Sequence, residues 1–80
     1  MRIEELREVC HAMPFRPFVL HLADGREALV KHPDFIAFSP TGRSIFVFLP
    51  DGSFKIIDVL LITEIEVKNG RRRQAARPTR

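Results

Sequence analysis

The residues able to carry chemistry in this 80-residue chain are three histidines, one cysteine, a few serines and ten carboxylates. Cys10-His11 with His21 is the nearest thing to a zinc set. Zinc sites, however, use spacings that turn their ligands to one point, such as Cys-x-x-Cys or His-Glu-x-x-His, and neither occurs. Cys10 falls on the apolar stripe of a predicted helix, which turns the adjacent His11 elsewhere. His21 and His32 read as half-exposed strand and turn residues. Glu64 and Glu66 share a strand face, as a general acid and base would, but no second catalytic group accompanies them. Ser39, Ser44 and Ser53 sit in or beside turns without a nucleophile-elbow pattern, and Gly42 and Gly52 lack the context of a phosphate loop. The expectation is a protein that is not an enzyme, with no cofactor, metal or small-molecule substrate.

Charge is distributed more tellingly than its total of +3 suggests. Lys68, Arg71, Arg72, Arg73, Arg77 and Arg80 place six of the 13 basic residues in a C-terminal tail without a carboxylate. The preceding residues hold the other seven against all 10 acidic ones. A tail of this kind attracts anions through charge and counterion release, without sequence preference, so RNA is one expected partner for these six residues; the alternative is a solvated, solubilising terminus on a protein-interaction or structural module with no nucleic-acid role. With no apolar periodicity around Arg71-Arg72-Arg73, the tail is expected to be disordered when free. All seven aromatics are phenylalanine. Phe18, Phe46 and Phe48 fit core packing. Phe15 and Phe35, beside Arg16 and His32-Pro33, are the only candidates for exposed rings that stack on a base, and core packing is the favoured reading for the aromatics as a set.

These side chains must be positioned by a single small domain, because eighty residues lie near the lower limit for a self-sufficient core. A hydrophobic content of 45% excludes disorder throughout. One cysteine provides no disulfide framework, Arg2, Glu4, Glu5, Arg7 and Glu8 interrupt any leader-like apolar run, and Val59-Leu60-Leu61-Ile62 is too short to span a bilayer. A cytoplasmic protein without a membrane contact is expected.

Residues 2–13 read as an amphipathic helix with Ile3, Leu6, Val9, Cys10 and Met13 on one stripe, ended by Pro14. From Phe18 to Val67 the pattern changes to short strands separated by Ala23-Asp24-Gly25, Ser39-Pro40-Thr41-Gly42 and Pro50-Asp51-Gly52 turns. The first strand spans Phe18 to Leu22, with Phe18, Leu20 and Leu22 on one face and Val19 and His21 on the other. Its partner runs from Arg26 to about His32. A three-residue loop with Gly25 in the left-handed region pairs Leu20 with Ala28 and Phe18 with Val30, whereas a two-residue loop would bring Leu29 to that face. Pro33-Asp34 breaks the strand, which resumes over Phe35 to Ser39. Arg43 to Leu49 and Phe54 to Ile57 follow. Asp58 to Leu61 reads as a 3₁₀ turn capped by Asp58, and Ile62 to Val67 as the last strand, with Thr63, Ile65 and Val67 on one face. The predicted fold is mainly β with one N-terminal helix, a small five-stranded SH3/Sm-like open barrel over residues 1–67 followed by the tail 68–80.

Helix, bent meander and short turn before the last strand resemble the Sm-like fold of bacterial Hfq-type RNA chaperones. Leu20-His21-Leu22-Ala23-Asp24-Gly25 is similar to the first Sm hairpin, and Ile62-Thr63-Glu64-Ile65-Glu66-Val67 to the last Sm strand. The resemblance implies a ring-forming barrel that binds RNA. Hfq-type proteins line a uridine pocket with a Lys-His pair before the last strand. Val59-Leu60 stands there in this chain and cannot hydrogen-bond a base edge, while Lys55 lies too early to replace it. The chain also resembles short bacterial proteins of unassigned function that share Arg16-Pro17-Phe18, Asp24-Gly25-Arg26, His32-Pro33, Ser39-Pro40-Thr41-Gly42-Arg43 and Ile56-Ile57-Asp58; that likeness implies no activity.

Ile45, Phe46, Val47, Phe48 and Leu49 are all apolar, although successive strand side chains alternate faces. Val59 to Ile62 repeats the excess, and Val19 and Leu29 add to the outer face. Left alone, a monomer would expose this surface beside an unpaired strand edge. Homo-oligomerisation is therefore expected, through Ile45, Val47, Leu49, Leu61 and Ile62, in a ring or a back-to-back dimer.

Overall fold

The computed structural model describes residues 2–68. A helix, α1 (Ile3–Cys10), is followed by six strands: β1 (Phe18–Leu22), β2 (Glu27–Val30), β3 (Ile36–Phe38), β4 (Ser44–Phe48), β5 (Phe54–Asp58) and β6 (Ile62–Val67). They form two three-stranded antiparallel sheets, ordered β2-β1-β6 and β3-β4-β5, in place of the single five-stranded open barrel that was expected. The separation falls where Pro33, which has no N–H to donate, starts a 3₁₀ turn over Pro33–Phe35; His32 Nδ1 caps that turn by accepting from the Asp34 N–H at 3.2 Å.

The first hairpin takes the longer loop. Phe18 opposes Val30 and Leu20 opposes Ala28, with Gly25 at φ 92° where a side chain would be strained. A β-bulge then lets β6 turn two apolar residues inward out of step. Leu22 opposes Ile62, but His21 opposes Glu64 and Leu20 opposes Ile65. The extra residue, Thr63, donates its hydroxyl to the His21 carbonyl at 3.1 Å.

A second 3₁₀ turn, Val59–Leu61, joins the two sheets. Asp58 caps it as expected, accepting from the Leu60 N–H at 2.9 Å. Its first residue extends one sheet, the Val59 N–H donating to Arg43 at 2.9 Å; its last extends the other, the Ala23 N–H donating to the Leu61 carbonyl at 2.8 Å.

One core fills the space between α1 and both sheets. It includes Leu6 and Cys10 from the helix, Phe18, Leu20 and Leu22 from β1, Ile45 and Val47 from β4, and Ile57, Val59 and Ile62. The helix stops at Cys10, three residues short of the expected end, and Met13 is almost fully exposed instead of on the buried stripe. The residue before a proline is pushed out of α geometry, which takes Met13 away from the helix axis. Arg7 lies 5.0 Å above the Phe38 ring, a cation–π contact that joins the helix to β3. No described helix is long and apolar enough to cross a membrane.

Candidate functional site

Alternation along β4 sends Ile45 and Val47 into the core and leaves Phe46 and Phe48 on the far side of the sheet. On β5 the same rule buries Ile57 and turns Phe54 and Ile56 outward. The register brings these outward residues into two rows: Ala37, Phe46 and Ile56 side by side across three strands, then Phe48 beside Phe54. The Phe48 and Phe54 rings are 5.9 Å apart, tilted by 44°. Exposure is 41% for Phe48, 54% for Phe54 and 63% for Ile56. With aromatic and aliphatic side chains of this size, the three leave on the order of 300 Å² of contiguous apolar surface. Ser44 opposite Asp58 bounds the rows at one end, and β5 is one of the two edge strands of its sheet.

The expected interface residues are distributed differently. Ile45, Val47 and Ile62 are buried in the chain's own core, Leu49 is half-buried against it, and Leu61 is exposed. The apolar excess in Ile45–Leu49 is thus real, but its outward share is Phe46 and Phe48, joined by Phe54 and Ile56. The sequence signal for those two was present, since Phe54 and Ile56 alternate with Ile57 out of phase. Of the tail residues, Lys68 is exposed with its Nζ 3.5 Å from Glu66; Arg71, Arg72, Arg73, Arg77 and Arg80 lie outside the described residues.

On the outer face of the other sheet, His21 stands between two edge strands. Its Nε2–H donates to Glu66 on β6 at 2.9 Å, and its Nδ1 lies 3.6 Å from Glu27 on β2. The hydrogen bond to Glu66, aided by the charges of Glu64 and Glu27, raises the His21 pKa, and the same bond with help from Lys68 lowers that of Glu66. This favours the imidazolium form of His21, held by carboxylates. Burial pushes the Cys10 thiol up to about 11, so it is not a thiolate nucleophile at neutral pH. No three His, Cys, Asp or Glu side chains among the described residues stand close enough together to hold a metal ion.

The chain matches no protein-family model, no curated protein and no solved structure.

Proposed function

We propose that this chain is a non-enzymatic small β module that acts as an assembly of its own copies, joined through the outer face of the β3-β4-β5 sheet. The observation that carries this reading is the exposure of Phe48, Phe54 and Ile56 in adjoining rows on one sheet face. Among the described residues nothing charged projects from the middle of the rows, so a charged partner finds no counterpart there. A second copy does, because a flat apolar face is complementary to itself across a two-fold axis. A surface of about 300 Å² is at the lower end of the largest apolar patch on a typical soluble monomer, a patch that often serves an interaction. The Sm-like reading draws support from the return of the last strand to the side of the first, β6 beside β1. Sedimentation at micromolar concentration tests the proposal. The expected mass is a multiple of 9.2 kDa, and Phe54→Lys or Ile56→Lys should dissociate it while leaving the core intact. A 9.2 kDa species for the parent chain would end the reading.

A second reading is an RNA contact through Lys68, Arg71, Arg72, Arg73, Arg77 and Arg80. It is favoured by the point where the tail starts. The Lys68 N–H donates to the Pro17 carbonyl at 2.8 Å, which fixes the start of the tail at the end of the sheet where Arg16 and Lys31 are also exposed. Binding to RNA should weaken steeply with salt and disappear on truncation after Val67. A truncated chain that binds as well as the full one would remove the tail from the account.

A further inference from the structure

The main-chain groups of β5 divide into those that bond to β4 and those that do not. The Leu49 N–H donates to the Ser53 carbonyl at 2.8 Å, and the Val59 N–H donates to the Arg43 carbonyl at 2.9 Å. Bonded residues of an antiparallel pair recur at every second position, so between these two ends Lys55 and Ile57 are the residues bonded to β4. The N–H groups of Phe54, Ile56 and Asp58 and the carbonyls of Phe54 and Ile56 therefore aim away from β4, and no described strand lies on that side. An open strand edge invites pairing, and proteins blunt such edges with charge, shortness, bulges or cover. The other three edges here are blunted. β2 carries Glu27, β6 carries Glu64 and Glu66 beside its bulge, and β3 has only three residues, follows the Pro33 turn and has Arg7 over Phe38. β5 has five residues, and on its outer face Phe54 and Ile56 are apolar and more than half exposed.

We infer that β5 pairs antiparallel with β5 of a second copy about a two-fold axis through Ile56. The inference rests on the self-assembly reading and adds a main-chain contact to it: the apolar side chains pack above the sheet, whereas this contact runs in its plane. The register identifies the occupant as another copy. With Ile56 opposite Ile56 of the partner subunit, the two Ile56 N–H groups donate to each other's carbonyls. Each Asp58 N–H then donates to the carbonyl of Phe54 of the partner subunit. Sliding by two residues in one direction sets Lys55 directly against Lys55 of the partner subunit, which like charge opposes. Sliding by two in the other direction puts Phe54 opposite Leu60 of the partner subunit, which belongs to the 3₁₀ turn and offers no extended backbone. A slip of one residue would turn the partner's apolar face to the opposite side. One register remains, and it is self-complementary. It uses the same edge in both copies, so the pairing closes on itself and does not propagate into a fibre.

Amide hydrogen exchange and sedimentation on the full chain test the pairing. In dilute protein, with the copies apart, the Ile56 and Asp58 amides should exchange freely while those of Lys55 and Ile57 are protected by β4. Raising the concentration until the copies associate should slow exchange at Ile56 and Asp58. Ile56→Pro removes the donor on the axis without removing a bond to β4, a position where an edge strand accepts proline. It should halve the mass of the assembly and keep a cooperative melt, whereas Ile56→Val, which keeps the amide, should associate as the parent does. An associated parent whose Ile56 amide exchanges as fast as in dilute protein would overturn the strand pairing and leave the face-to-face reading standing, whether or not the proline variant folds. A folded Ile56→Pro variant with the parent's mass would do the same. A single-chain mass at every concentration would overturn both.

Discussion

His21 holds the middle of a three-strand face, and its protonation couples to folding with a definite sign. Its pKa in the folded chain lies above the ordinary 6.5, so the charged form is favoured by folding. The stability it adds is complete below pH 6.5 and is lost as pH rises through the raised value. Glu66 behaves in the opposite sense. Its folded pKa lies below 4.5, so its contribution is complete above that pH and lost as pH falls through the lowered value. The pair therefore works best between these two limits. An NMR titration of the imidazole should show Glu66→Gln returning His21 toward its ordinary value; an unchanged titration would mean that Glu66 is not its main partner. Cys10 makes a second residue-scale prediction. A buried thiol with a pKa near 11 should react with a disulfide reagent only when denaturant opens the chain, and rapid labelling of the native protein would contradict its place in the core.

At the scale of elements, α1 has only eight residues and cannot be stable alone, so its order must come from docking. Leu6 is fully buried, and Leu6→Ala should cost about 3 kcal/mol and lower the melting temperature by more than about 10 °C. A melt like the parent's would mean that the helix is not part of the cooperative unit. Much at this scale was legible beforehand. Asp24-Gly25 fixed the register of the first hairpin, and Asp58 announced the 3₁₀ turn, because each rests on local chemistry that no distant contact overrides. The end of the helix was less legible, since Met13 continues the apolar stripe while Pro14 opposes it. The bulge at Thr63 was hidden altogether. Strict alternation puts Ile65 and Thr63 on one face, and only the pairing of Leu22 with Ile62 shows that β6 changes phase.

For the whole molecule, the difficulty was deciding which apolar residues belong to the core. The run Ile45 to Leu49 announces a surplus, but a single chain cannot tell which parity faces inward until the helix and the other sheet are in place. The structure gives the interior to Ile45 and Val47 and leaves Phe46 and Phe48 outside with Phe54 and Ile56. Charge is also resolved only at this scale. Residues 2–68 hold eight basic against ten acidic side chains, and the five remaining arginines all follow Asn69. Truncation after Lys68 should therefore reverse the sign of the net charge and abolish retention on a cation exchanger at neutral pH, while the thermal melt of the domain is preserved. A large fall in melting temperature would show that the removed residues help to hold the fold.

The 3₁₀ turn at Val59–Leu61 has a consequence for how the molecule opens. It is bonded to both sheets, through the Val59 amide to Arg43 and through the Leu61 carbonyl to the Ala23 amide. Neither sheet can peel from the core without straining a connection three residues long. Amide protons in β1 and β4 should then exchange with deuterium at rates set by one common opening, and the Ala23 and Val59 amides, although they lie outside the strands, should be lost to solvent only in that same event.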